Sequence, residues 1–250
     1  MFSVSFIIPC FNCEKFINGN IYRLLIKIKK LNVNYQIILI NDGSYDKTSE
    51  AIKKIKSKYK KRVLTIDLPK NKGKSFAIRA GLKKTKFKNI VLLDADLPYF
   101  NYLDVLINKL RKNPSLLIID RNHPKSFIIN KKLDLYQFSR KIIGKLISKM
   151  IFLYLGLNDR VIDTQAGLKG FKVFKNFNKI NFISNKFFFD IELIYLFKVL
   201  KKEITTIPVK YSIDKKSTIR FFNIKNFKII IDLIKVLIFL KSKNSKKIIK

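Results

Sequence analysis

The segment Ile90-Val91-Leu92-Leu93-Asp94-Ala95-Asp96 decides how the rest of the chain is read. Its first four residues are an unbroken apolar run, the pattern of a strand buried on both faces. The run stops on two carboxylates separated by one residue. Carboxylates that leave a buried strand together lose hydration and repel each other, so they need a compensating partner. A hard divalent ion, Mg²⁺ or Mn²⁺, meets that need, since such ions prefer carboxylate and phosphate oxygens. Asp96 is the candidate metal ligand, with Asp94 beside it. The alternative is an Asp pair that only caps a turn ahead of a helix.

Outward from this segment, strand and helix signals alternate. Toward the N-terminus, apolar runs at 4–8, 36–40 and 63–66 read as strands. Helical spacing covers 14–30, with Ile17, Ile21, Leu24, Leu25 and Ile28 on one face, and also 48–59 and 74–84. Beyond the Asp pair come a helix over 102–111 and a strand over 116–119. This rhythm predicts an α/β fold with a mainly parallel central sheet flanked by helices, and ligands outside the carboxyl ends of its strands. The second half predicts helices over 133–157, 187–200 and 223–240, and strands over 168–174 and 204–211.

Polar clusters follow the strands at that edge. Asn41-Asp42-Gly43-Ser44 offers a carboxylate that can accept the N3–H of uracil, or else forms an ordinary β-turn. Asn71-Lys72-Gly73-Lys74 opens a helix, where the helix N-terminus and Lys74 favour phosphate, or else form a plain cap. Asp190 and Glu192 begin another helix. They are candidate general bases, or acids favoured at a helix start.

Composition narrows the classes. The 250 residues are 48% hydrophobic, enough for a full core. There are 53 basic and 17 acidic residues, a net charge of +36, yet only eight of the basic ones are Arg. A Lys-dominated surface implies general attraction to polyanions, or a biased composition, rather than specific base reading. No zinc module or RNA-binding aromatic signature appears, so no specific nucleic acid is expected. Two Cys and one His exclude a disulfide framework and a zinc site built from Cys and His alone. Cys10-Phe11-Asn12-Cys13 does fit C-x-x-C, which leaves a thioredoxin-like alternative. No apolar run reaches the ~18 residues that span a bilayer, and no basic stretch precedes the first apolar run. The expectation is a cytoplasmic protein, peripheral on the cytosolic membrane face. In the last helix Lys225, Lys228, Asp232 and Lys235 form a narrow stripe beside a wide apolar face. That suits contact with an anionic membrane, or packing on the core.

Taken in order, these segments resemble the family 2 glycosyltransferases. The resemblance rests on Ile7-Ile8-Pro9-Cys10-Phe11-Asn12 with Glu14, on residues 38–48, on residues 71–81, and on Leu93-Asp94-Ala95-Asp96. Asp163-Thr164-Gln165-Ala166-Gly167-Leu168-Lys169 and Phe188-Phe189-Asp190-Ile191-Glu192-Leu193 are similar to segments of the dolichyl-phosphate β-glucosyltransferases and related polyprenyl-phosphate enzymes. Pro98 departs from the Gln that related mannose synthases usually carry after Asp-Ala-Asp-Leu.

The resemblance implies a GT-A, Rossmann-like fold over 1–222, with a nucleotide-sugar-binding half at 1–122 and an acceptor half at 123–222. A basic amphipathic helix and tail at 223–250 would follow. It implies donor binding by Pro9, Phe11, Asn12, Glu14, Asp42, Lys74, Arg79, Asp94 and Ala95. Catalytic roles fall to Asp94, Asp96, Asp190 and Glu192. The acceptor side falls to Arg140, Gln165, Lys169, Ser217 and Arg220. The implied reaction is inverting transfer of a hexose from a nucleotide diphosphate sugar, UDP-sugar favoured, to polyprenyl phosphate. A saccharide hydroxyl is the alternative acceptor, and a non-enzymatic nucleic-acid-binding protein is the remote alternative.

Overall fold

The computed structural model describes residues 1–112, 115–129, 135–157, 163–212 and 227–242. The first half alternates as its apolar pattern predicts. β1 (Ser3–Cys10), α1 (Glu14–Lys30), β2 (Asn34–Asn41), α2 (Thr48–Lys58), β3 (Val63–Asp67), α3 (Lys74–Leu82) and β4 (Asn89–Leu93) follow one another. α4 (Leu103–Arg111), β5 (Leu116–Asp120) and the two-residue β6 (Phe127–Ile128) come next. The second half adds α5 (Leu135–Tyr154), β7 (Leu168–Lys172), α6 (Phe189–Val199), β8 (Ile204–Pro208), β9 (Lys210–Tyr211) and α7 (Phe227–Lys241).

Seven strands form one sheet in the order β3-β2-β1-β4-β7-β5-β8, and β6 pairs with β9 in a small second sheet. The main sheet is parallel except for β7, which runs antiparallel between β4 and β5. Side chains alternate across a strand, so β1 sends Val4, Phe6 and Ile8 to one face and Ile7 to the other. The first face packs on α1, α2 and α4 through residues such as Ile17, Leu24, Ile52 and Leu106. The second packs on α3 and α6 through Ile78, Phe189, Leu193 and Phe197. A third cluster joins α5, α6 and α7 through Ile151, Ile191, Val236 and Leu240. Among the described residues, no helix is long and apolar enough to cross a membrane.

Sheet direction fixes where chemistry collects. Cys10 pairs with Asn41, and Asn41 with Asp67, so the first three strands end together. Because β7 is reversed, its first residue Leu168 pairs with the last residue of β4, Leu93. The segment before β7 therefore meets the segment after β4, and the Asp94 N–H donates to the Gly167 carbonyl at 3.0 Å.

The α7 stripe differs from its sequence reading. Lys228 and Lys235 are exposed, but Asp232 is buried. It stands where the Lys stripe borders the buried arc of Val236 and Leu240, and the protein supplies it with hydrogen-bond donors.

Candidate active site

Asp94 and Asp96 leave β4 at the carboxyl edge, and α1 helps hold them there, since the Asn20 side-chain amide donates to the Ala95 carbonyl at 2.8 Å. Asp96 is exposed and Asp94 partly so. The following loop is unusual. Leu97 and Tyr99, both with side chains, have φ of 51° and 59° on either side of Pro98. Such left-handed residues cost energy and persist where surrounding contacts enforce them. Gly167 allows the close approach, because a Cβ there would collide with the Asp94 carboxylate and the Pro98 ring.

Lys74, the first residue of α3, reaches Asp94 with Nζ 2.6 Å from Oδ1. Burial alone would lower its pKa, but Asp94, Asp190 and Asp96 together raise it, so the ammonium is firmly charged. Asp190 lies in the first turn of α6, with Lys169 of β7 3.2 Å away. Burial raises the Asp190 pKa, opposed by Lys169 and Lys74. Three carboxylates and two ammonium groups thus alternate across the strand ends.

Several expected contacts take other partners. The N–H groups of Ser75 and Phe76 donate to the Lys186 and Asn185 carbonyls, at 2.9 and 3.1 Å. The N-terminus of α3 is therefore already capped, and it is not an open phosphate cradle. Arg79 donates to the Phe182 carbonyl and, at 2.5 Å, to Asn185 Oδ1. It braces the 182–185 loop. Glu192 is likewise engaged with backbone. Its oxygens accept the N–H groups of Ile183 and Ser184 at 2.7 and 3.1 Å. Residues two apart on a helix do not face the same way, so Asp190 and Glu192 cannot both look into the site. Lys169 is only 2% exposed, and its Nζ is 2.5 Å from the Ala166 carbonyl. It is paired with Asp190.

Asp42 is buried, with its oxygens accepting the N–H groups of Lys72 and Gly73, both at 2.8 Å. Burial raises its pKa against those two bonds. It pins the loop that enters α3, and each oxygen keeps a further lone pair. Gly73 has a φ of 108°, and a Cβ there would strike the Asn185 backbone.

The loops after β1 and β2 are laced together. The Asn12 N–H donates to Ser44 Oγ at 3.0 Å, and Asn12 Oδ1 accepts the Tyr45 N–H at 2.9 Å. Glu14 Oε2 accepts the Lys47 N–H at 2.5 Å, and the Glu14 N–H donates to Asp46. Pro9 is half-buried beside this lacing. Phe11 and Tyr45 are exposed and meet edge to face, with centroids 5.7 Å apart. Cys10 and Cys13 are buried free thiols.

Gln165 is exposed, and its side-chain amide lies 3.4 Å from Thr164 Oγ1. Its segment is anchored by Asp163, which Arg121 grips with two nitrogens, one of them at 2.9 Å. Burial would raise the Asp163 pKa, but Arg121 outweighs burial and lowers it. Ser217 and Arg220 lie outside the described residues, as does the side chain of Arg140. Arg121 and Ser184 escaped the sequence reading because no motif contains them, and Asp232 was read only as part of the stripe on the last helix.

A family model described as glycosyl transferase family 2 matches residues 5–168. The chain belongs to this family. The glycosyltransferase is 27% identical to a dolichyl-phosphate beta-glucosyltransferase of Trichomonas vaginalis, over 94% of this chain and 73% of that relative. It is 26% identical to a dolichyl-phosphate beta-glucosyltransferase of Drosophila melanogaster, over 84% of this chain and 67% of that relative. In fold it is similar to glucosyl-3-phosphoglycerate synthase from Mycobacterium tuberculosis, crystallised with Mn²⁺, uridine diphosphate and phosphoglyceric acid. That match has a TM-score of 0.64 and 17% identity, and covers 94% of this chain and 78% of that chain.

Proposed function

We propose that this glycosyltransferase moves a hexose, with inversion, from a nucleotide diphosphate sugar to polyprenyl phosphate, with UDP-sugars the favoured donors and the cytosolic membrane face the place of reaction. The observation that carries the acceptor class is the state of the two candidate bases. Glu192 is taken up by two backbone N–H groups, and Asp190 is paired with Lys169. An acceptor phosphate needs no base, because its second pKa is about 6 and it arrives mostly ionised. It needs cations and aim. Similarity to two dolichyl-phosphate beta-glucosyltransferases supports the same acceptor.

The carboxylates of Asp94 and Asp96 suit a hard divalent ion, Mg²⁺ or Mn²⁺. Among the described residues no three His, Cys, Asp or Glu side chains gather as a complete metal cage. An ion held by one or two carboxylates and the donor's phosphates fits that donor set. When bound, it supplies positive charge for the departing nucleoside diphosphate. The protein's own part is to hold Asp96 outward, to hold Lys74 beside Asp94 as a second positive charge, and to set Lys169 against the burial of Asp190. Phe11, Asn12, Glu14 and Asp42 shape the nucleoside end, with Phe11 and Tyr45 as exposed aromatic surface for a base.

A saccharide hydroxyl is the second reading, favoured by the burial that raises the Asp190 pKa. Purified protein incubated with labelled nucleotide sugars and Mn²⁺ separates the two. Transfer to polyprenyl phosphate is expected. Transfer only to oligosaccharides, abolished by Asp190→Asn, overturns the lipid-phosphate reading.

A further inference from the structure

The C-terminal helix α7 touches the site through one loop. Asp232 Oδ1 accepts the Asn185 N–H at 3.1 Å, while Oδ2 accepts the Lys186 N–H at 3.0 Å and the Ser184 hydroxyl at 2.9 Å. The same loop faces α3 on its other side. The Asn185 and Lys186 carbonyls receive the Phe76 and Ser75 N–H groups. Ser184 Oγ also lies 3.1 Å from Ser75 Oγ, and Ser75 Oγ accepts the Phe189 N–H at the start of α6. Lys74, which precedes Ser75, meets Asp94 at 2.6 Å. Asp232, Ser184 and Ser75 are all buried.

Hydrogen bonds therefore run from α7 to Ser75, and the adjoining Lys74 carries the connection to the Asp94 carboxylate. The Asn185–Lys186 peptide unit is held from both sides, by α7 at the Lys186 N–H and by α3 at the Asn185 carbonyl. A carboxylate that accepts N–H groups also polarises those peptides, strengthening the carbonyls as acceptors for α3. A buried carboxylate is costly unless fully bonded, so Asp232 tolerates few loop positions.

We propose that Asp232 is a positioning residue. Through the 184–186 loop it fixes the first turn of α3, and so holds Lys74 in register with Asp94 and Asp96. The C-terminal helix is thus part of the donor site, although none of its described residues belongs to the family's motifs. This rests on the proposed role of Asp94 and Asp96 in holding metal and diphosphate.

The test compares Asp232→Asn with Val236→Ala. Asn keeps the shape, but turns an NH₂ toward donors that need an acceptor. Val236 is buried one turn further along α7 in an apolar cluster, so its truncation loosens the helix while leaving the hydrogen bonds of Asp232 to the loop in place. In metal-free protein, amide exchange at Ser75 and Phe76 is expected to rise in Asp232→Asn and to stay near wild type in Val236→Ala. Uridine diphosphate binding in Mn²⁺, followed by calorimetry, is expected to weaken about tenfold in Asp232→Asn, the scale of one lost charged hydrogen bond. Val236→Ala is expected to lower Tm with affinity unchanged. Ser184→Ala cuts the same path and is expected to raise exchange at the same amides, which serves if Asp232→Asn does not fold. Unchanged exchange in both loop variants, or equal effects in Val236→Ala at equal loss of Tm, overturns the proposal. Wild-type protein that binds no uridine diphosphate overturns the donor reading, and the exchange comparison still judges the clamp.

Discussion

Asp190 and Glu192 are two acids in one helical turn, and their surroundings give them different work. Glu192 is 2% exposed, and burial outweighs its two N–H donors and Arg79, raising its pKa to about 7 against 4.5 for an ordinary Glu. The sign follows from proton binding. Between pH 4.5 and 7 the folded state holds the proton that the unfolded state has lost. Stability from this group is complete below pH 4.5 and declines as pH rises toward 7. Glu192→Gln removes the titration, so the variant's stability relative to wild type should improve across that window by on the order of 2–3 kcal/mol. Urea unfolding at several pH values measures it, and a constant difference between the two proteins refutes the assignment. Asp96 gives the opposite kind of prediction. It is exposed, so Asp96→Asn should leave Tm within a degree or two while cutting turnover by about 100-fold or more. Excess chelator should do the same to wild-type enzyme, and full activity in chelator rules out the metal role.

At the scale of elements, the reversed strand β7 builds the site. Its direction sets Gly167 against Asp94, so Gly167→Ala should push the carboxylate and Pro98 apart. The expected cost is about 1–3 kcal/mol of stability, with a larger relative loss of activity. Denaturation midpoints and initial rates measured together would show it, and wild-type values for both would mean the contact yields freely. An apolar run near 168–174 was legible as a strand, and the first four strands were legible with it. Strand direction was not, because the side-chain pattern of a buried strand is the same read either way. β6 and β9, two residues each, are too short to carry a period. Asp94 and Asp96 stood out in the sequence because the two acids follow an apolar run. The partners of Lys74, Arg79 and Asp42 were not, because each depends on a loop more than 25 residues away in sequence or on the sheet order. Asp232 was misplaced for a related reason. A helical projection groups it with Lys228 and Lys235, and only tertiary packing reveals that loop 184–186 covers it.

For the whole molecule, α5 and α7 carry apolar side chains on both their inner and outer faces. Inside, Ile151, Val236 and Leu240 join the cluster shared with α6. Outside, α5 exposes Ile142, Leu146, Met150 and Leu153, and α7 exposes Ile230, Ile234 and Ile238. The competing readings of α7, core packing or lipid contact, are therefore compatible, since different faces are involved. Lys145, Lys149, Lys228 and Lys235 are exposed on the same two helices. Exposed apolar stripes edged with Lys suit the interface of an anionic bilayer, where each Lys near the surface contributes about 1 kcal/mol. We expect the protein to float with vesicles containing anionic lipid, to bind neutral vesicles poorly, and to be released as salt rises. Removing residues 223–250 is a poor probe, because it also strips Asp232 from its loop. Met150→Glu and Ile234→Glu change only exposed positions, so they should keep the fold and uridine diphosphate binding while lowering the bound fraction. The pair together should weaken partitioning by about tenfold or more, the effect of about 1.4 kcal/mol. Protein that stays with the soluble fraction at low salt on anionic vesicles excludes the membrane contact, and shifts the acceptor toward a soluble saccharide. Binding that survives both Glu substitutions leaves these two stripes out of the contact.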